Sequence, residues 1–242
     1  PETERKQKLL GDWDTFTGQY FSEFNRETHV IPPFEIPAGW PRYRGIDLGT
    51  ANPYCCLWGA WDPADGTCYV YREAYQKNLT AAQQAMQIKE MSKTSDGKNE
   101  RITATVIDPS TYSNVQGLGQ TVAGVYSSLG VNVSRAKNAR ISGWQNVHRY
   151  LQPGVINDEP KLKIFSTCEH LLRTLPAMRH DKTKVEDVDT DDEDHAADAL
   201  RYLLACRPYN EITRKHKHAT YDAEGRVQRF MEKLDKTKKR RW

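Results

Sequence analysis

Apolar and aromatic residues crowd three successive stretches, Tyr43 to Asp47, Tyr54 to Trp61 and Thr67 to Tyr75, and each is predicted to be a strand. Asp62-Pro63-Ala64-Asp65-Gly66 is a turn sequence, so the second and third stretches form a hairpin. The period then lengthens. Thr80 is placed to cap a helix running through Met91, with Ala85, Met86 and Ile88 among its apolar positions, and Asp96-Gly97-Lys98-Asn99 closes that unit. Thr103 to Ile107 reads as a buried strand ended by Asp108-Pro109, because the residue before proline is pushed out of helical conformation. Helix and strand alternate from there: Gln120 to Leu129 as helix, Val131 to Ser134 as strand, Ser142 to Leu151 as helix and Leu162 to Ser166 as strand. Two further helices are expected, at Cys168 to Leu175 and Asp192 to Cys206. Three early antiparallel strands followed by this alternation predict an α/β domain over residues 42–210, a mixed central sheet with helices on both faces.

Residues 1–41 carry a different pattern. Trp13, Phe16, Tyr20, Phe21 and Phe24 recur near helical spacing, but Pro32, Pro33, Pro37 and Pro41 forbid a continued helix. The segment is expected to be a connector whose aromatics pack on the following domain or on an adjoining or missing neighbour, the latter favoured, and a start at Pro1 rather than Met points to a fragment of a longer chain. Charge is also uneven. Residues 211–242 form a basic tail with eleven Lys/Arg and five Asp/Glu, a net of +6, so the rest of the chain carries a net of −3. A tail ending Lys238-Lys239-Arg240-Arg241 suits a phosphate backbone, since each neutralised phosphate releases counterions; a solvated terminus is the alternative. A mean hydropathy of −0.79 and the absence of a long apolar run exclude a transmembrane helix, and Pro1-Glu2-Thr3-Glu4 is no signal peptide. A soluble protein with no membrane partner is expected. The five cysteines, Cys55, Cys56, Cys68, Cys168 and Cys206, are odd in number and form no C-x-x-C pair, which argues for a reducing, cytosolic compartment.

Three acidic positions stand out against this background. Asp47, in Arg44-Gly45-Ile46-Asp47-Leu48-Gly49-Thr50, lies on a core strand, where an ionised carboxylate must be paired, hydrogen-bonded or bound to a cation. The flanking glycines let a phosphate or another backbone come close. Asp108 repeats the arrangement at the carboxyl end of Ala104-Thr105-Val106-Ile107, the end beyond which α/β sheets bind ligands, although Asp108-Pro109-Ser110 also reads as an ordinary turn opener. On the last helix Asp194, Asp198, Arg201, Tyr202 and Ala205 share a face with His195 at its margin, opposite Ala196, Ala199, Leu200, Leu203 and Leu204. A solvated polar face accounts for that wheel; the small Ala196, Ala197 and Ala199 instead let the helix, and with it Asp198, approach the strand ends. Carboxylates converging from two strand ends and one helix suit two Mg²⁺ or Mn²⁺ ions, the composition of a two-metal phosphodiesterase site, with His195 as a further ligand or proton shuttle.

Gly45-Ile46-Asp47-Leu48-Gly49, Val106-Ile107-Asp108 and His195-x-x-Asp198-Ala199-Leu200-Arg201-Tyr202 resemble the three acidic motifs of RNase H-like nucleases, in particular the nuclease domain of tailed-bacteriophage terminase large subunits. The resemblance runs from about Leu10 to Arg207. It takes in Gly11-Asp12-Trp13-Asp14, Gly18-Gln19-Tyr20-Phe21 and Val185-Glu186-Asp187-Val188-Asp189. The helix motif is shared with Holliday-junction resolvases and marks the superfamily; the lead-in is more terminase-like. The resemblance implies an RNase H-like fold with Asp47, Asp108 and Asp198 as metal ligands, His195 auxiliary, and Asp194 a ligand or its support. It further implies a metal-dependent endonuclease cutting concatemeric viral double-stranded DNA in the host cytoplasm. The partners it implies are an upstream ATPase domain of the same parent chain, a portal and a small terminase. No G-x-x-x-x-G-K-[ST] motor signature occurs in this chain.

Other readings meet obstacles in the residues. Gly45 to Thr50 also resembles the first phosphate loop of actin-like and heat-shock-type ATPases, which need a second such loop, and Gly117-Leu118-Gly119 is a poor one. Glu159-Pro160-Lys161 offers the E-x-K of another nuclease class but places Pro in the strand. Asp187-x-Asp189-x-Asp191 begins like a calcium loop, yet Asp192 replaces the required glycine, leaving an acidic loop near the metals. A non-catalytic DNA-docking module is the alternative of a different class, with Arg135, Lys137, Arg140, His148 and Arg149 as a basic patch beside Trp144.

Overall fold

The computed structural model describes residues 18–49, 52–94, 96–113, 120–154, 158–189, 193–207 and 209. The tail at 211–242, Trp13, Phe16, the lead-in at Gly11 to Asp14, Gly117 to Gly119, Asp191 and Asp192 lie outside them. Seven strands form one mixed sheet: β1 (Val30–Ile31), β2 (Arg42–Asp47), β3 (Tyr54–Trp61), β4 (Cys68–Gln76), β5 (Ile102–Ile107), β6 (Ser134–Arg135) and β7 (Leu162–Phe165). Their order is β1-β7-β4-β3-β2-β5-β6. The β2-β3-β4 pairings are antiparallel and the other four parallel. Among the described residues six α-helices pack around the sheet: α1 (Arg26–His29), α2 (Ala81–Met91), α3 (Val122–Ser128), α4 (Arg140–Leu151), α5 (Glu169–Thr174) and α6 (His195–Ala205).

Strand β3 is buried at every position because helices cover both of its faces. On one face Trp58 and Tyr54 meet α2: the Trp58 indole donates to Ser92 at its C-terminal end, and the Tyr54 hydroxyl bonds Gln87. The Thr80 side chain and Gln83 cap that helix reciprocally, as a capping box. On the other face lies α6, so close that a Cβ on Gly45 would stand 2.4 Å from the Ala199 carbonyl oxygen. The bare backbone of Gly45 is thus filled by this helix, the second of the two roles its sequence allowed.

Several expectations need correction. Of the packings open to residues 18–41, Tyr20, Phe21, Phe24 and Ile36 take the following domain: they are buried in its core, each apolar side chain worth roughly 1.5–3 kcal/mol. His29 bonds the Leu151 carbonyl oxygen across 2.9 Å, and β1, absent from the expected elements, extends the sheet beside β7. Strand β6 is Ser134–Arg135 rather than Val131 to Ser134, since a left-handed Gly130 turns the chain and only those two residues pair with β5. Strand β5 is only half buried, because its outer neighbour is two residues long. Met86 points outward, 53% exposed, while Ala85 and Ile88 enter the core. The polar face of α6 is not solvated: Asp198, Arg201 and Tyr202 are all buried. Among the described residues no helix is long and apolar enough to cross a membrane.

Candidate active site

Asp47 ends β2, and Asp108 follows β5, the parallel neighbour of β2, in register: Ile46 pairs Ile107, and the Asp108 amide donates to the Ile46 carbonyl across 3.2 Å. Helix α6 brings Asp194, His195 and Asp198 to the same end of the sheet. The His195 imidazole Nδ1 lies 3.0 Å from Asp47 Oδ2, so strand and helix are joined through the two side chains. Burial pushes the Asp47 carboxyl up to about 6, with the charges of Asp198 and Asp194 adding to it and the His195 bond opposing. Asp194 is likewise pushed up to about 6, by burial and then by Asp198. His195 is held above the ordinary imidazole range chiefly by its hydrogen bond to Asp47. Asp47, Asp194 and Asp198 therefore form one electrostatically coupled acidic group.

The remaining carboxylates are held by groups that sequence reasoning gave no role. Asp198 Oδ1 accepts from Arg201 Nε at 2.8 Å and lies 2.6 Å from Arg201 Nη2. Arg201 is 1% exposed, stacked over Trp144 and Tyr202 with centroid distances of 4.9 and 4.5 Å. It passes across Gly143 of α4, where a Cβ would stand 2.8 Å from its Cδ. Asp108 Oδ2 accepts the Tyr202 hydroxyl at 2.6 Å and Oδ1 the Ser110 amide at 2.6 Å. Burial raises the Asp108 carboxyl, but those bonds and the Arg201 charge outweigh it and hold it below its ordinary value. Among the described residues no three His, Cys, Asp or Glu side chains stand together as a ready metal cage. Asp47, Asp108 and Asp198 are instead each turned to a protein donor. The i, i+3 spacing of Asp198 and Arg201 is the local signal that could have shown their pairing.

Other candidates resolve into structural contacts. Of the basic patch, Trp144 is fully buried, His148 bonds Glu23 at 3.0 Å, and Arg135 stacks over Tyr112 at 4.7 Å. Lys161 pairs Asp65 and Glu159 pairs Lys163, so the E-x-K stretch is tied up in ion pairs. Asp187 of the acidic loop bonds the Arg140 guanidinium at 3.1 Å and the Trp144 indole at 2.9 Å.

The family model described as the terminase RNase H-like domain matches residues 44–206, the span that contains Asp47, Asp108, Asp194, His195 and Asp198. The chain belongs to that family. The fold agrees: the P22 large terminase nuclease domain is 21% identical, with a TM-score of 0.64 over 79% of this chain and 93% of its own. The large terminase of a thermophilic bacteriophage, in complex with ADP, is 20% identical with a TM-score of 0.62 over 84% of this chain, which spans 50% of that longer protein. The nuclease domain of the bacteriophage SPP1 large terminase, with bound Mn, is 15% identical with a TM-score of 0.50 over 77% of this chain and 97% of its own. Among curated proteins no sequence match was found. The matched span takes in β3, β4, β5, β6 and β7 whole and β2 from Arg44, and leaves β1 outside it.

Proposed function

We propose that this terminase-family domain is a divalent-metal-dependent endonuclease that hydrolyses DNA phosphodiester bonds, cutting concatemeric viral double-stranded DNA during genome packaging. The observation that carries the reading is the coupled acidic group at the sheet end: Asp47 and Asp198 are each only 8% exposed, and Asp47 and Asp194 are raised by burial and by one another's neighbours. Buried carboxylates kept together against their repulsion suit a cation. Their all-oxygen character fits Mg²⁺ or Mn²⁺, and the manganese in the SPP1 relative agrees in kind.

Asp47, Asp198 and Asp108 would hold two such ions, with Asp194 a further carboxylate. When bound, the ions would supply charge neutralisation at the phosphate and activation of a water. The protein's own residues do the rest. His195, bonded to Asp47 through Nδ1, fixes the carboxylate's orientation and leaves Nε2 to accept or deliver a proton. Arg201 holds Asp198 through Oδ1 on the helix side, and Tyr202 aims Asp108; the remaining lone pairs of both carboxylates would be available to an ion. The proposal extends to the wider setting: an ATPase domain in the parent chain, double-stranded DNA as substrate, portal and small terminase as partners, and the host cytoplasm as the place of action.

The arginine already on Asp198 favours a second reading, a non-catalytic DNA-docking module in which the acidic residues are only structural. Plasmid nicking separates the two. The nuclease reading expects cleavage with Mg²⁺ or Mn²⁺, none in EDTA and none from Asp47→Asn; an inert wild type supports docking, and a fully active Asp47→Asn removes Asp47 from the site.

A further inference from the structure

A polyanion approaching Asp47, Asp194 and Asp198 meets like charge, so contact at this end of the sheet needs a cation that can turn toward it. Three cationic or protonatable side chains face the acidic group. His195 is committed to Asp47. Arg201 is buried, forked onto Asp198 and directed at Asn138 Oδ1 through both terminal nitrogens at 3.4 Å. Arg140, the first residue of α4, differs from both. Its side chain is 31% exposed, and its Nε is anchored by Asp187 at 3.1 and 3.2 Å. Its Nη1 stands 3.7 Å from Asp198 Oδ2, outside hydrogen-bond range. Its Nη2 lies 3.1 Å from Asp187 Oδ1 but off the hydrogen-bond direction, and is a buried donor with no hydrogen-bond partner among the described residues.

A guanidinium held on the Asp187 side through Nε and the buried Nη2, with Nη1 near Asp198 but making no hydrogen bond among the described residues, leaves one nitrogen at the rim of an acidic site to grip a phosphate oxygen. We propose that Arg140 contacts a phosphodiester of duplex DNA at the edge of this site, held in place by Asp187 and the Trp144 indole that bonds the same carboxylate. The proposal rests on the reading of the site as a nuclease centre and names the side chain that seats its substrate. Asp187 orients the guanidinium, so the acidic loop acts on DNA through Arg140.

The test is duplex binding by the 242-residue chain, followed by fluorescence anisotropy from low to moderate salt with Ca²⁺ present and absence of cleavage checked on a gel. Arg140→Gln is expected to weaken binding about 5- to 10-fold and to lower the salt slope by about 0.9, the loss of one phosphate contact. Arg140→Lys should keep the slope and lose only part of the affinity. Asp187→Asn, which removes the tether and keeps the cation, should leave the slope in place; if Arg140 merely supported the fold, Asp187→Asn and Arg140→Gln would behave alike. An unchanged slope in a folded Arg140→Gln or a lowered slope in Arg140→Lys overturns the contact. A lowered slope in Arg140→Gln beside a wild type that cuts nothing with Mg²⁺ or Mn²⁺ would sink the nuclease reading and leave the contact standing; cutting by the wild type with an unchanged slope in Arg140→Gln would do the reverse.

Discussion

Asp47→Asn should stabilise the metal-free protein. The Asp47 carboxyl rises from 3.8 to about 6 on folding, and at about 1.4 kcal/mol per unit this makes its ionised form cost about 3 kcal/mol at neutral pH. Asparagine removes that cost and keeps an oxygen for His195, at a weaker bond worth about 1 kcal/mol less. A net gain of about 2 kcal/mol follows, or roughly 4–8 °C in melting temperature for a chain of this size. The pH dependence has a definite sign. Asp47 and His195 are both raised, so the folded state binds more protons than the unfolded chain. Stability due to them is present at low pH, is lost through Asp47 between about pH 4 and 6, and is lost through His195 as pH rises above its ordinary value. The advantage of Asp47→Asn in EDTA should therefore be small at pH 4, grow through pH 6 and level off above it. Thermal unfolding followed by circular dichroism in EDTA at several pH values reads this directly. Adding Mn²⁺ should raise the wild type and leave the variant nearly unmoved. A variant less stable than wild type at pH 7 in EDTA, or an advantage that shrinks from pH 4 to 6, would refute the reasoning.

Asp198→Asn and Asp108→Asn should each abolish nicking of plasmid DNA while the far-ultraviolet spectrum stays native; full activity in either removes that residue from the site. Gly45→Ala sets a methyl 2.4 Å from the Ala199 carbonyl and 2.6 Å from the Leu203 amide nitrogen, both backbone. It should cost at least about 3 kcal/mol in urea unfolding, since α6 must move off the sheet. Removal of residues 211–242 should weaken duplex binding and flatten its salt dependence, with up to eleven basic residues lost; an unchanged slope would return the tail to a solvated terminus.

The parts of the fold written in neighbouring residues were legible. Strand β3, its hairpin turn and the Thr80 cap depend on local apolar runs, a Pro-Ala-Asp-Gly turn and a side chain that reaches its own helix. Features set by distant partners were not. Val30 and Ile31 become a strand only because Ile164 and Phe165 lie alongside, and Phe21 is interior only because Trp144 and His148 meet it. The wheel of α6 placed Arg201 with the solvent-facing residues because no helical pattern announces that Gly143 and Trp144 of another helix will cover it. Asp47, Asp108 and Asp198 could be singled out since a carboxylate on an apolar strand or beside small helical residues is costly without a purpose. The guanidinium partners of Asp198 were less legible: Arg140 reaches it from a helix begun 58 residues earlier in the chain.

The most direct measurement is the anomalous scattering of a crystal of this chain soaked in Mn²⁺. Peaks lodged between the carboxylates of Asp47 and Asp198 are the expected result. A well-ordered Asp47 and Asp198 with no manganese beside them, in crystals that bind the ion elsewhere, would contradict the metal-dependent nuclease.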